Sequence, residues 1–301
     1  METITTGIVL RSQSGFYHVQ TPDGRVVCQL RGRLKRNRFD SDILAVGDRV
    51  DISLQADGSG MVEEIHPRVR MLARMDPTPK GIYHQILLAN VDQIILIFAC
   101  VNPAPHLRML DRFLVISARE EIPVLIVFNK LDLVGEYTAE EMFGHYRQIG
   151  YPLLFTSALD GRGLDELNQR IAGKLNAFTG PSGVGKSTLL NRLQPGLGLA
   201  AREVSDATGK GRHTTVVREM YPLAEGGYVV DTPGIKALAL WDTEPEELDG
   251  YFPEIAPLVQ NCAFNDCTHR VEKGCAVRAA VASGSIHPAR YESYLKLRFG
   301  E

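Results

Sequence analysis

The chain has 301 residues, about two average domains' worth, with an apolar fraction of 44% and a charged fraction of 23%; these values exclude a largely disordered chain, a collagen-like fibre and a coiled-coil rod. Lys and Arg total 33 against 36 Asp and Glu, a formal charge of −3, so nucleic-acid binding would have to come from local patches and not from the field of the whole molecule. The longest apolar run, IILIFACV at 94–101, falls short of the ~20 residues that span a bilayer, and METITTGIVL lacks a charged-then-apolar leader pattern, so no membrane contact is expected.

Residues 1–70 read as short strands. GIVLRS, GFYHVQT, GRVVCQLRG, GDRVDISLQ and GMVEEI are separated by Gly, Asp and Ser, which predicts a small β-barrel. Within this stretch RGRLKRNR carries Arg31, Arg33, Lys35, Arg36 and Arg38 with no acid. That run is the candidate phosphate-contacting patch for RNA; a solvated barrel loop is the alternative.

From about residue 90 strands alternate with helices. VDQIILIFAC reads as a buried strand, 107–121 as a helix with Leu107, Leu110 and Leu114 on one face, and PVLIVFNK as the next strand. A Gly-bounded helix near 138–148, the strand YPLLFTSA, a helix over 163–173, the strand LNAFTG and a helix over 186–193 follow. VVREMYPL and GYVVDTPG add two more strands. This alternation predicts a mostly parallel sheet covered by helices on both faces.

The chemistry sits at the strand ends. Asn129, Lys130, Leu131 and Asp132 form NKLD after the strand PVLIVF. A carboxylate there can accept from both N1–H and the 2-amino group of guanine, a pair that adenine does not offer. Asn129 can reach the base edge, and the Lys130 stem can lie along the ring. Ser157 and Ala158 of the TSA that follows YPLLF could bring a backbone N–H to guanine O6. The alternative there is a helix N-cap by Ser157.

Gly180, Pro181, Ser182, Gly183, Val184, Gly185, Lys186, Ser187 and Thr188 fit G-x-x-x-x-G-K-[ST] after a strand and before a helix, the context this phosphate-cradling loop requires. Its N–H groups and the helix N-terminus face phosphate, Lys186 reaches the terminal phosphates and Ser187 can ligate Mg²⁺. In SDATGKGRHTTVV (205–217) a threonine is needed to close on Mg²⁺ and the γ-phosphate; Thr215 is the first choice and Thr214 the second. Asp231 opens DTPG 45 residues after Lys186, placed to hold Mg²⁺ through water, and Gly234 can offer its N–H to the γ-phosphate. Ras-like enzymes carry a water-orienting Gln after this glycine. Here the position is Ile235, and His213 is the nearest candidate to position water; contact with phosphate or RNA is its alternative role.

The tail turns acidic at 242 and then reads CAFNDCTHRVEKGC. Cys262, Cys267, His269 and Cys275 give three thiolates and an imidazole, the composition of a closed tetrahedral zinc site without a catalytic opening. Free thiols or a disulfide are the alternatives, the latter disfavoured by the reducing cytoplasm in which an odd total of five cysteines places the chain. Cys28 and Cys100 lie in apolar strands and are expected in cores; His18, His66, His84, His106, His145 and His287 are expected in surface or satisfied positions. A final helix should begin near Pro288, with Tyr291, Tyr294 and Leu295 on one face.

Every part of a guanine-nucleotide switch is present, but NKLD and TSA precede the phosphate loop instead of following it. Domain termini often lie close together, so a circularly permuted chain can rebuild the same sheet. With the order NKLD–TSA–GPSGVGKST–GRHTT–DTPG, the N-terminal barrel and the C-x4-C-x-H-x5-C spacing, the sequence resembles the RsgA (YjeQ) family of small-ribosomal-subunit-dependent GTPases over nearly its whole length. Pro181 departs from the Gln of many relatives, at a variable position of the loop. The resemblance implies an OB-fold barrel over 1–75, a circularly permuted P-loop GTPase domain of α/β type over 76–241 and a zinc-binding helical domain over 242–301. It further implies a cytoplasmic monomer that binds GTP and GDP with Mg²⁺, carries one structural Zn²⁺, contacts the rRNA of the small subunit and hydrolyses GTP under its stimulation in late assembly. Two other classes compete: a nucleotide kinase, whose phosphate loop GPSGVGKST resembles but which needs neither NKLD nor DTPG, and a non-enzymatic RNA-binding scaffold that only senses nucleotide.

Overall fold

The computed structural model describes residues 4–35, 41–78, 81–195, 219–231 and 243–300. Arg36, Arg38, His213, Thr214, Thr215, Gly234 and Ile235 lie outside these residues.

The five expected N-terminal strands are β1 (Ile4–Gln13), β2 (Phe16–Thr21), β3 (Gly24–Leu30), β4 (Arg49–Leu54) and β5 (Gly60–Ile65). They close into a barrel in the order β1-β2-β3-β5-β4, a five-stranded barrel of OB type. Closure depends on β1: Ile4–Ile8 pair with β4 and Ile8–Gln13 with β2, so one long strand closes the barrel. The core follows the period of two. Val19, Cys28, Leu30, Val50, Ile52 and Val62 point inward with Val9 and Leu44. Gly60 is required by that packing, because a Cβ there would stand 2.5 Å from Cys28 Sγ.

The barrel also alters the basic run. Arg31 pairs with Glu63 of β5 at 2.5 Å and Arg33 with the same carboxylate at 3.3 Å. Against the effect of burial, the Ser53 hydrogen bond and these two cations hold Glu63 below the usual carboxylate range. The patch without an acid in sequence is therefore partly neutralised in three dimensions.

Residues on both sides of the boundary expected after residue 75 form a hairpin. β6 (Met71–Thr78) and β7 (Gly81–Ala89) pair antiparallel, and the expected boundary after residue 75 falls within β6. A bulge between Leu72 and Ala73 breaks its alternation, which is why period-two reading missed it.

A six-stranded sheet follows, in the order β10-β9-β8-β11-β13-β12. Its strands are β8 (Gln93–Ala99), β9 (Val124–Asn129), β10 (Leu153–Phe155), β11 (Leu175–Thr179), β12 (Met220–Pro222) and β13 (Tyr228–Asp231). β8 and β11 are buried at every residue, as expected of strands covered on both faces. The helices are α1 (Leu107–Arg119), α2 (Glu136–Phe143), α3 (His145–Gln148), α4 (Leu164–Ile171), α5 (Lys186–Leu193), α6 (Ala276–Ala282) and α7 (Pro288–Phe299). The single helix expected near 138–148 is two, divided at Gly144. The chain forms two compact units. One takes in the described residues of Met1–Ile95, Asp165–Ser182 and Lys186–Ala239; the other those of Leu96–Leu164, Gly183–Gly185 and Leu240–Glu301.

In the second unit the C-terminal segment packs on α1. Leu248, Phe252, Ile255, Val277, Ile286 and Tyr294 share a core with Val115 of α1. Beside it Arg290, 1% exposed, donates to Asp111 Oδ1 at 2.6 Å and Glu254 Oε1 at 2.7 Å, with its guanidinium 4.5 Å over the Phe252 ring. Tyr146 donates to the same Asp111 oxygen at 2.8 Å.

His145 is not the satisfied histidine expected. It is buried and stacked on His287 with ring centroids 4.0 Å apart, and neither of its nitrogens has a hydrogen-bond partner among the described residues. Burial, reinforced by His287 and Arg290, pushes its pKa from 6.5 down to about 4. Between those values the unfolded chain binds a proton that the folded chain does not, so the contribution is full above the unfolded pKa and is lost as pH falls towards the folded one. Lowering the pH from 7.5 to 5 should cost about 2 kcal/mol through this group. Urea unfolding of the wild type and His145→Phe at both pH values checks it; equal pH dependence in the two chains would remove His145 as the cause.

Candidate functional site

The phosphate-loop sequence lies where a buried strand gives way to a helix. β11 ends at Thr179 and α5 begins at Lys186. Gly180, Gly183 and Gly185 all have positive φ, the backbone that lets successive N–H groups converge. Lys186 folds back over the loop and donates to Gly180 O at 3.0 Å and Pro181 O at 2.7 Å. On the neighbouring strand Asp231 stands in register with Phe178, two residues before Gly180.

In the other unit NKLD follows β9. Lys130 takes a left-handed conformation (φ 65°) and donates its Nζ to Asn102 O, and Leu131–Leu133 form a 3-10 turn. Asn129 is 1% exposed, and its amide is engaged within the protein. Its Oδ1 accepts from Ala158 N at 3.1 Å and Thr156 Oγ1 at 3.2 Å, while its Nδ2 donates to Val184 O at 2.9 Å. One amide thus joins the NKLD, TSA and middle phosphate-loop segments. A Cβ on Gly185 would lie 2.5 Å from that Nδ2, and Gly185 has φ +93°; glycine is needed there twice over. The Ala158 N–H expected at guanine is engaged with Asn129.

Ser157 has a role that its reading as a possible cap did not include. Its hydroxyl donates to Asp132 Oδ1 at 2.6 Å and accepts from Asp160 N at 3.2 Å. The carboxylate that would read guanine is held by a neighbour 25 residues away in sequence, a contact with no local signal.

The tail cysteines and histidine converge. The ligand atoms of Cys262, Cys267, His269 and Cys275 all lie within 4.8 Å of one another. Cys262 Sγ is 3.5 Å from His269 Nδ1 and 4.0 Å from Cys275 Sγ, and His269 Nδ1 is 3.4 Å from Cys275 Sγ. Zinc bonds of about 2.3 Å to sulfur and 2.0 Å to nitrogen in a tetrahedron place sulfurs about 3.8 Å apart and sulfur and nitrogen about 3.6 Å apart. The donor set and its spacing suit zinc. Burial, and then the neighbouring thiols, push the Cys267 thiol up to about 12, a penalty that a cation binding the thiolates would remove. His269 turns its other nitrogen, Nε2, to Asp249 Oδ2 at 3.4 Å, the outer carboxylate that orients a metal-bound imidazole. Asp249 comes from the acidic stretch, which sequence reading left without a role. Cys28 and Cys100 are fully buried, as expected.

Comparisons with known proteins agree over the whole chain. The family described as RsgA GTPase matches residues 65–241, and the RsgA N-terminal domain matches residues 6–62. The small ribosomal subunit biogenesis GTPase RsgA of Gemmatimonas aurantiaca is 46% identical over 302 residues, covering 99% of this chain and 98% of that protein. Among solved structures, YjeQ from Thermotoga maritima superposes with a TM-score of 0.79 at 36% identity, covering 99% of this chain and 98% of its own. YloQ, described as a circularly permuted GTPase, gives 0.75 at 31% identity over 98% of this chain and 94% of its own. Among the described residues no helix is long and apolar enough to cross a membrane.

Proposed function

We infer the function from one premise: the chain belongs to the RsgA family of circularly permuted GTPases. It is a GTPase that acts in small ribosomal subunit biogenesis, the activity its relatives are named for. It binds the small subunit through rRNA and hydrolyses GTP to GDP and phosphate faster when bound there. The supporting observation is the Asn129 amide, which draws NKLD, TSA and the middle of the phosphate loop together despite their permuted order.

In this reading Gly180–Thr188 cradle the phosphates, with Lys186 exchanging its loop carbonyls for phosphate oxygens. Asp132, oriented by Ser157, reads guanine, and Lys130 flanks the ring. Ser187, Thr215 and Asp231 would hold the Mg²⁺ that arrives with GTP, which would supply charge neutralisation at the phosphates. Gly234 meets the γ-phosphate and His213 positions water. Arg31, Arg33, Lys35, Arg36 and Arg38 contact rRNA phosphate, against the competition of Glu63. GTP turnover measured with and without purified small subunits tests the proposal: slow turnover alone and strong stimulation are expected, and turnover indifferent to subunits would refute the subunit-dependent part.

Cys262, Cys267, His269 and Cys275 hold one structural zinc. Purified protein should contain about one zinc per chain. Cys267→Ala should lose the metal and unfold the C-terminal segment, seen by proteolysis, while nucleotide still binds. A full zinc content in that variant would exclude this ligand set.

A further inference from the structure

The loop that carries the tail's histidine is shaped by a residue outside the ligand set. Among the described residues of the C-terminal segment, His269 is the one non-glycine residue with a left-handed backbone, at φ 63°. That conformation crowds the Cβ against the following carbonyl, and an L-residue keeps it only where its surroundings impose it. Here the surroundings centre on one carboxylate. Glu272 Oε1 accepts from Thr268 N at 2.8 Å and from the Thr268 hydroxyl, and Oε2 accepts from Arg270 N and Val271 N, each at 3.0 Å. Amides on both sides of His269 therefore converge on Glu272, while the His269 N–H itself donates to the Cys267 sulfur.

The last helix, α7, takes up the carbonyls of the same turn. Tyr291 donates to His269 O at 2.5 Å and Tyr294 to Thr268 O at 3.4 Å. With its N–H and C=O groups both engaged, the turn presents a fully buried imidazole. Its Nδ1 lies 3.5 Å from Cys262 Sγ and 3.4 Å from Cys275 Sγ, and its Nε2 faces Asp249. Glu272 stands three residues after His269 and three before Cys275, and it is not among the four residues whose ligand atoms converge. A ligand fixed in place before the metal arrives loses less freedom on binding it.

We propose that Glu272 is a positioning residue for metal binding: its carboxylate, committed to backbone and hydroxyl donors, fixes the left-handed turn that aims His269 Nδ1 at the three thiolates. This role rests on the zinc reading above and extends it from the ligands to the residue that holds one of them in register.

Three measurements on the full chain test it: zinc affinity by chelator competition, proteolysis of the tail at limiting and saturating zinc, and absorption of the cobalt-substituted chain. The variants are Glu272→Ala, Glu272→Gln and Tyr291→Phe. Glu272→Ala should raise the zinc Kd about 10- to 100-fold, the range for losing an outer partner of a metal ligand. Glu272→Gln keeps one acceptor oxygen but sets an N–H₂ against the remaining donors, so its loss should be nearly as large. Tyr291→Phe removes one hydrogen bond and should cost about 3- to 10-fold. At saturating zinc the tails of all three should resist protease like the wild type. Cobalt bound to Glu272→Ala should keep its thiolate charge-transfer bands while its d–d bands shift, the signature of a displaced imidazole. Wild-type zinc affinity and cobalt spectrum in Glu272→Ala would overturn the proposal. So would a tail that stays protease-sensitive in that variant at saturating zinc, the mark of a turn that serves folding alone. A wild-type chain that takes up neither zinc nor cobalt would instead overturn the zinc reading itself, and the role of Glu272 with it.

Discussion

Arg290→Met should destabilise the chain by about 3–5 kcal/mol, the range for removing one partner from a buried ion pair. Asp111 and Glu254, whose side chains are 0% and 5% exposed, would be left facing each other without their shared cation. Burial already pushes the Asp111 carboxyl up against the pull of Arg290, and losing the guanidinium would push it up further. The long side chain of Met fills most of the space and isolates the charge term from a cavity term. Adding Asp111→Asn and Glu254→Gln should recover part of the loss, because it removes the stranded charges. Urea unfolding monitored by far-ultraviolet dichroism reads both numbers. A loss under about 1 kcal/mol for Arg290→Met would mean that water enters and solvates the two carboxylates, the situation of an exposed pair. Asp111 belongs to α1 while Glu254 and Arg290 belong to the C-terminal segment, so the variant should also loosen that segment's attachment to the helix.

Asp132→Asn should weaken GTP binding by about 10²–10³-fold, since two guanine donors would lose a charged acceptor and one would face an amide N–H₂. The same amide can donate to the 2-oxo group of xanthine, so xanthosine triphosphate should bind the variant better than GTP does. Ser157 holds Asp132 Oδ1 at 2.6 Å, and its hydroxyl can also donate to an amide oxygen, so the variant side chain keeps its orientation. Fluorescent analogues of both nucleotides, titrated into wild type and variant, give the ratio directly. Ordinary GTP affinity in Asp132→Asn would mean that guanine is read elsewhere. Ser157→Ala should reproduce a small part of the effect without the gain in xanthine binding, because it frees the carboxylate without changing its chemistry.

The site was legible wherever one short segment supplied both residue types and spacing. The phosphate loop, NKLD and the cysteine–histidine tail are of this kind. Backbone direction and side-chain chemistry there are set within a few residues, so reading along the chain reaches them. Other contacts were not legible because a residue close to a motif meets something far away in sequence: Asn129 Nδ2 donates to Val184 O, and Arg31 and Arg33 pair with Glu63. The hairpin at 71–89 escaped because a bulge and Pro77 interrupt its alternation.

By itself the amino-acid sequence determined the barrel followed by an α/β sheet, the permuted motif order and the four-ligand tail, since each depends on local periodicity or on fixed short spacings. Tertiary structure alone decided which long-range partners complete them: Ser157 on Asp132, Asp249 behind His269, Asp111 and Glu254 around Arg290, and Arg11 and Arg25 on Glu219. Such partners stand tens to hundreds of residues apart, and their meeting depends on strand order, a one-residue bulge and the burial of whole faces. Hydrogen bonds and charges act over a few ångströms in space whatever the separation along the chain, and only the folded backbone converts one into the other.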